Sequence, residues 1–410
     1  MSSYPKSDPW RAIDLDEARR NRHLLIGGQY QLLAPVASEA PFDRFLARQV
    51  ASAGLAKRVS VKRILASDHR YTVGRDMLFD EAQALLAIEH PGVPTLIDFV
   101  EDSEGAHLVH EFIEGAHLDL ALQHLARQGT LFAFEVAAYV ASEIAWTLHA
   151  SHTAHDATGR PLEIVHRTLH PRHVLITRRG QIKVTGHAHA QMRHRAQPMT
   201  NHGRLRGAPA YFAPEYIAGD KCVAQTDVYG LGVMLFELVT GRECFPGATL
   251  VEALQRVVKE GPDYGELASA GVPADLVYVI QRATQFSPQR RFHDAAEMAL
   301  ALDGWLTRVG GAVRPWILAR FFTKNGVFEA EAFAEQAAQQ AAPLFEEHPT
   351  PEAAHPGPYT ETLREAGPAV AIDDLVDDEP TQGIPRPILD RREESSTPIF
   401  LVSDADLEAL

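Results

Sequence analysis

The sequence predicts an α+β fold in two lobes, a small β-rich lobe with one helix followed by a larger helical lobe. Three observations predict it. From Tyr30 to Phe112, short apolar runs alternate with turns, the period-2 pattern of half-buried strands. That stretch is interrupted once, by a helical segment over residues 77–88 that places Leu78, Ala82, Leu85 and Leu86 on one face. After Gly115 the period changes: residues 131–149 space Val136, Val140, Ile144 and Leu148 four apart, and residues 226–240 are nearly all apolar, as a helix buried on every side requires.

The elements divide in order. Residues 1–27 form an N-terminal extension, in which the polar run from Asp14 starts a short helix and an Ile26-Gly27-Gly28 turn leads into the first strand. The small lobe spans 28–114 and the helical lobe 115–308. A helical extension follows over 309–345, including the Ala/Gln/Glu-rich residues 328–342. Residues 346–410, rich in Pro, Asp, Glu and Thr with few core-formers, form an acidic tail expected to be disordered.

Charge and cysteine content narrow the function. The formal net charge is −15, but sixteen acids against four arginines from Leu344 onward supply −12 of it, so the lobes are close to neutral and offer no nucleic-acid footprint. Cys222 and Cys244 are too few for a disulfide framework or a zinc cluster, which fits a reducing cytoplasm. The first 25 residues lack an apolar signal core, and the best apolar stretch is short and carries Glu237, so neither export nor a membrane span is expected.

Five ordered motifs carry a resemblance. Val59-Ser60-Val61-Lys62 is followed by Glu81 within the predicted helix. Residues 164–176 read Ile-Val-His-Arg-Thr-Leu-His-Pro-Arg-His-Val-Leu-Ile, and residues 207–215 read Gly-Ala-Pro-Ala-Tyr-Phe-Ala-Pro-Glu. Residues 226–232 read Thr-Asp-Val-Tyr-Gly-Leu-Gly, and Arg291-Phe292 comes last. In wording and order these resemble the bacterial eukaryotic-like serine/threonine protein kinases, whose bilobal fold matches the two lobes. The resemblance implies residual nucleotide contacts at Lys62, Glu81, Glu111, Ile113 and Leu175. It implies structural roles for His166, Arg167, Glu215, Asp227 and Arg291, with Arg291 pairing the Ala-Pro-Glu glutamate. The Lys62–Glu81 pair reads equally as nucleotide contact or as an ion pair docking helix on sheet.

The chain departs from the family where chemistry is done. The three glycines of the phosphate-covering loop, needed so that backbone N–H groups can approach the oxygens, fall on Ala37, Glu39 and Phe42, and the apolar cap over adenine falls on Arg44. A carboxylate at Glu39 would repel a triphosphate. The catalytic aspartate is replaced by Thr168, which cannot accept a proton near neutral pH; the following lysine is His170 and the magnesium-binding asparagine is His173. Asp-Phe-Gly is replaced by Gly186-His187-Ala188, which leaves no hard oxygen donor for magnesium. The expectation is a degenerate member, a pseudokinase with no catalytic residues and no required cofactor. ATP would bind weakly at most and magnesium not at all. The alternatives are a weak or noncanonical phosphotransferase using Lys62, and a nucleotide sensor without turnover.

Two further features stay open. His166, His170, His173, His187 and His189 map to segments that converge on the cleft, and read either as a metal site or pH switch or as one structural histidine with polar replacements around it. His187 stands where a phenylalanine packs beneath the Glu81 helix, so that packing should weaken. In the tail, Thr381, Thr397 before Pro398, and the apolar residues 399–402 suit a segment that folds on a partner or recruits a phosphothreonine-binding module, unless the tail merely solubilises. The partners expected are other signalling proteins, an active kinase among them, with no nucleic acid and no membrane.

Overall fold

The computed structural model describes residues 25–39, 41–50, 56–187, 209–246, 250–311 and 313–332, with backbone alone at 37–39, 209 and 250–251. The small lobe is a six-stranded antiparallel sheet of β1 (Leu25–Ile26), β2 (Tyr30–Glu39), β3 (Phe42–Val50), β4 (Ala56–Leu65), β5 (Leu96–Glu101) and β6 (Gly105–Glu111), in the order β1-β2-β3-β4-β6-β5. The pleat sorts alternate residues of β4: Val59 and Val61 join one apolar cluster with Tyr30, Phe45 and Val109, while Ile64, on the face that also carries Lys62, joins another with Phe42, Leu78 and Leu108. That second cluster is covered by helix α1 (Tyr71–Ala87).

Two expectations change here. Helix α1 starts six residues before position 77, because the chain turns into it at Asp68, whose carboxylate accepts the Arg70 N–H at 2.7 Å. Leu86 is 74% exposed instead of sharing the face of Leu78, Ala82 and Leu85. The buried arc of α1 runs through Gly74, Met77, Leu78, Glu81 and Leu85, and at 3.6 residues per turn Leu86 lies about 120° from its centre. In addition, Leu25 and Ile26, within the segment read as an extension, pair with Gln31 and Tyr30, so the Gly27-Gly28 turn closes a hairpin and the sheet begins before it.

The helical lobe opens with β7 (Gly115–His117) and α2 (Leu118–Arg127), followed by α3 (Phe134–His152), which begins three residues after the expected start. The hairpin β8 (Val174–Thr177) and β9 (Ile182–Val184) pairs with β7. Then come α4 (Pro214–Ala218), α5 (Ala224–Thr240), α6 (Leu250–Gln255), α7 (Gly265–Ser269), α8 (Ala274–Ala283) and α9 (Ala295–Arg308). Helix α5 is buried on all sides, as its unbroken apolar sequence predicts. Asp303 of α9 clamps α3, accepting from Ser142 Oγ at 2.5 Å and Trp146 Nε1 at 3.0 Å.

Helix α10 (Pro315–Lys324) and a further helical turn from Val327 pack Leu318, Phe322, Val327 and Phe328 into the same core. Glu331 then reaches His117, accepting from its backbone N–H at 3.2 Å and from Nδ1 at 2.8 Å. The expected acidic tail, with Thr381, Thr397 and the apolar residues 399–402, lies outside the described residues, as do His189 and most of the segment before Pro209.

Candidate functional site, a cleft between sheet and helical lobe

The cleft is built where β4, α1, the turn before β8 and the end of β9 meet. Lys62 Nζ donates to Glu81 Oε2 at 2.8 Å, and both residues are buried. Burial alone would raise the Glu81 carboxyl, but the Lys62 ammonium, with Arg44 behind it, holds it below the usual carboxylate range. On its other side Lys62 meets an aromatic ring: Nζ stands 4.5 Å from the centroid of Phe42, which is 3% exposed. The register explains the contact. Arg44 lies directly opposite Lys62 across β3 and β4, and Phe42, two residues earlier on β3, faces the same way.

Behind the lysine, a cavity of about 70 Å³ is lined by Val36, Arg44, Ser60, His110, Ile113 and Leu175, among others. That is well below the roughly 300–1,000 Å³ of pockets that take drug-sized ligands. Glu111 and Ile113 form the connection between the lobes. The Glu111 carboxylate accepts from Lys183 Nζ at 2.5 Å and from the Thr95 N–H at 3.1 Å, and its carbonyl accepts from His110 Nδ1 at 2.9 Å. Burial pushes the His110 imidazole down to about 4, so it lines the cavity as a neutral ring.

The catalytic-loop segment hangs from Asp227 of α5. Its carboxylate accepts the His166 N–H at 2.8 Å, the Arg167 N–H at 2.7 Å and His152 Nε2 at 2.7 Å. These bonds hold Arg167 at φ +67°, a left-handed conformation that few side chains adopt unless the surroundings impose it. Burial opposes the Asp227 charge, but the bond from His152 and the neighbouring His166 keep its carboxyl below the ordinary value. His166 Nε2 donates to the Thr185 carbonyl at 2.7 Å, tying this loop to the end of β9.

At the two magnesium positions the structure is specific. His173 Nδ1 donates to the Thr168 carbonyl at 3.0 Å, and its ring fills the space beside Gly186. Gly186 has φ +88°, and a Cβ there would fall 2.7 Å from His173 Cδ2 and Nε2. A side chain at 186 would therefore force the His173 ring to shift, so the two departures are sterically coupled. Thr168 is 2% exposed, and its hydroxyl has no hydrogen-bond partner among the described residues.

The histidines converge as a group of tilted and edge-on rings. His170 and His173 centroids lie 4.1 Å apart, His166 and His173 5.3 Å, and His166 and His187 5.2 Å. Among the described residues no group of three or more His, Cys, Asp or Glu is arranged to hold a metal ion. His187 is 1% exposed, neither ring nitrogen has a hydrogen-bond partner among the described residues, and burial pushes its pKa down to about 3. A buried neutral imidazole thus stands where the family has a phenylalanine, edge-on to His166.

Away from the cleft, Glu215 and Arg291 form a bidentate pair at 2.7 Å in both contacts, closed by Thr226 Oγ1 on Glu215 and by backbone carbonyls of Gln225, Gln285 and Phe286 on Arg291. Sequence reasoning missed His110 and the contact of Phe42 on Lys62. Strand alternation back from Arg44 carried a signal for Phe42; nothing in the local sequence marks His110.

Residues 47–293 match the model of the protein kinase domain, and the chain belongs to that family. Among curated proteins it is 26% identical over 333 residues to a tyrosine-protein kinase, MasK, of Myxococcus xanthus, covering 80% of this chain and 51% of the relative. It is 27% identical over 279 residues to the serine/threonine-protein kinase PrkC of Bacillus subtilis, covering 67% and 40%. To the serine/threonine-protein kinase PkaA of Streptomyces coelicolor it is 31% identical over 284 residues, covering 65% and 48%. The chain spans about half the length of these relatives or less. No helix among the described residues is long and apolar enough to cross a membrane.

Proposed function

We propose that this chain is a pseudokinase, a protein-kinase domain that does not transfer phosphate and works in the cytoplasm as a signalling scaffold or allosteric regulator. The observation that carries the reading is the imidazole of His173 packed against Gly186, where the family places two oxygen ligands for magnesium. A neutral imidazole is a poor magnesium ligand, and Gly186 has no side chain to offer. Thr168 supplies no base, a loss worth typically ~10²- to 10⁴-fold. No cofactor is required on this reading, and ATP binds weakly at most through Lys62 and the Glu111–Ile113 connection. The partners proposed are other signalling proteins, an active kinase or a phosphothreonine-binding module that reads Thr381 or Thr397 among them.

The test is transfer of labelled phosphate from ATP to the chain itself and to a generic protein acceptor, with magnesium or manganese, beside a Lys62→Ala control. The reading predicts no incorporation above the control. Incorporation abolished by Lys62→Ala would replace it with an active kinase of unusual chemistry.

A second reading is favoured by the Lys62–Glu81 bond, the geometry that grips the α- and β-phosphates in active relatives: a sensor that binds nucleotide without turnover. A melting shift with ATP in the absence of magnesium, removed by Lys62→Ala, would support it.

A further inference from the structure

We propose that Phe42 is a built-in occupant of the phosphate end of the cleft, holding Lys62 and Glu81 in their assembled geometry with no nucleotide present. The proposal rests on the pseudokinase reading, because a kinase that cycles ATP must vacate this space each turnover.

Lys62 is 4% exposed and Glu81 5%. A charge pair taken so far out of water persists only where its geometry is fixed and its remaining faces are covered. Glu81 covers one face of the ammonium at 2.8 Å, and the Phe42 ring, 4.5 Å away, offers the negative face of its π system to another. The same ring is a core residue, buried in one cluster with Ile64, Met77 and Leu78, so it joins the sheet to the helix that carries Glu81. Glycine at position 74 eases the close approach of helix α1. A Cβ there would fall 2.2 Å from Ile64 Cδ1 and 3.5 Å from the Phe42 ring.

The position of the ring is therefore specific. It starts β3 and shares its face with Arg44, which lines the cavity behind, so one strand fills the phosphate end with an aromatic ring and the base end with a guanidinium. Bound phosphates would have to lie against the face of Lys62 that the ring covers. In place of glycine N–H groups facing an anion, this chain presents a hydrophobic side chain facing a cation.

The test compares the full-length protein with Phe42→Ala and Phe42→Tyr. Hydrogen exchange over residues 71–87 without ligand should be at least tenfold faster in Phe42→Ala and unchanged in Phe42→Tyr, which keeps the ring. A fluorescent ATP analogue in excess chelator should bind Phe42→Ala at least tenfold more tightly than wild type, and binding should be lost again in Phe42→Ala/Lys62→Ala. Should Phe42→Ala fail to fold, Phe42→Leu, which keeps bulk and loses the π face, should give the same changes to a smaller degree. Exchange in these variants equal to wild type, or no gain in analogue binding, would overturn the proposal. Wild-type phosphate transfer would instead overturn the pseudokinase reading, so the two failures are distinguishable.

Discussion

At the scale of single residues, the site behaves as coupled replacements. Gly186→Asp alone puts a Cβ 2.7 Å from the His173 ring and a non-glycine residue at φ +88°, which should cost about 2 kcal/mol or more. Combined with His173→Asn the cost should shrink by at least about 0.5 kcal/mol, because the clash goes with the ring; chemical denaturation of both variants reads the coupling. His187 supplies a second prediction. It buries two ring nitrogens that have no partner among the described residues, each a loss of hydration, so His187→Phe should raise stability by about 1–3 kcal/mol.

The same residue shapes the response to acid. His187 and His110 have folded pKa values pushed down to about 3 and about 4, against about 6.5 in the unfolded chain. Above pH ~6.5 both states leave them neutral and their contribution is complete. As pH falls from ~6.5 the unfolded chain takes up protons that the folded chain does not, and stability drops by up to ~1.4 kcal/mol per pH unit for each histidine. Glu237 opposes them. Burial raises its carboxyl to about 7 in the folded state, so its contribution is present below about 4.5 and lost as pH rises to about 7. The histidines outnumber it, so the protein should lose stability between pH 6.5 and 4.5, and His187→Phe should flatten that loss by up to one proton's worth. Melting curves across this range check the slope.

At the scale of elements, much was legible where the sequence repeats a physical rule, and less where tertiary contacts decide. The apolar run of α5 and the alternation of the strands are statements about burial, and their positions could be read directly. The start of α1 could not: Thr72, Val73 and Gly74 are poor helix formers, and their place in the helix goes with tertiary contacts such as the packing of Gly74 on Ile64. Leu86 was misplaced because a four-residue spacing fixes a face only to within a residue or so. The family motifs marked Lys62, Glu81, His166, Asp227, Glu215 and Arg291, but what fills the vacated positions depends on side-chain volume in three dimensions and was hidden. The Glu215–Arg291 pair illustrates an element-scale dependence. It ties the start of α4 to the segment before α9, and Arg291→Ala, which strands a carboxylate that is 7% exposed, should destabilise by about 3–5 kcal/mol in urea unfolding.

At the scale of the molecule, the helical lobe does not end with the family match at residue 293. Leu318, Phe322, Val327 and Phe328 are buried in its core, and His117, at the rim of the cleft, is held by Glu331. Truncation after residue 312 should therefore lower the melting temperature by many degrees, since each large apolar side chain buried is worth about 1.5–3 kcal/mol. Deletion of 346–410 should leave it nearly unchanged, as the composition of that segment offers little core.

The central claim is that the cleft has been rebuilt from a site for magnesium and triphosphate into a packed joint between the lobes. Thermal-shift titration of the full chain with ATP, alone and with magnesium or manganese, beside Lys62→Ala, tests it most directly. The account predicts no metal-dependent shift in either protein. A shift that needs the metal and disappears in Lys62→Ala would mean that His173 and Gly186 yield to a bound ion, and would contradict it.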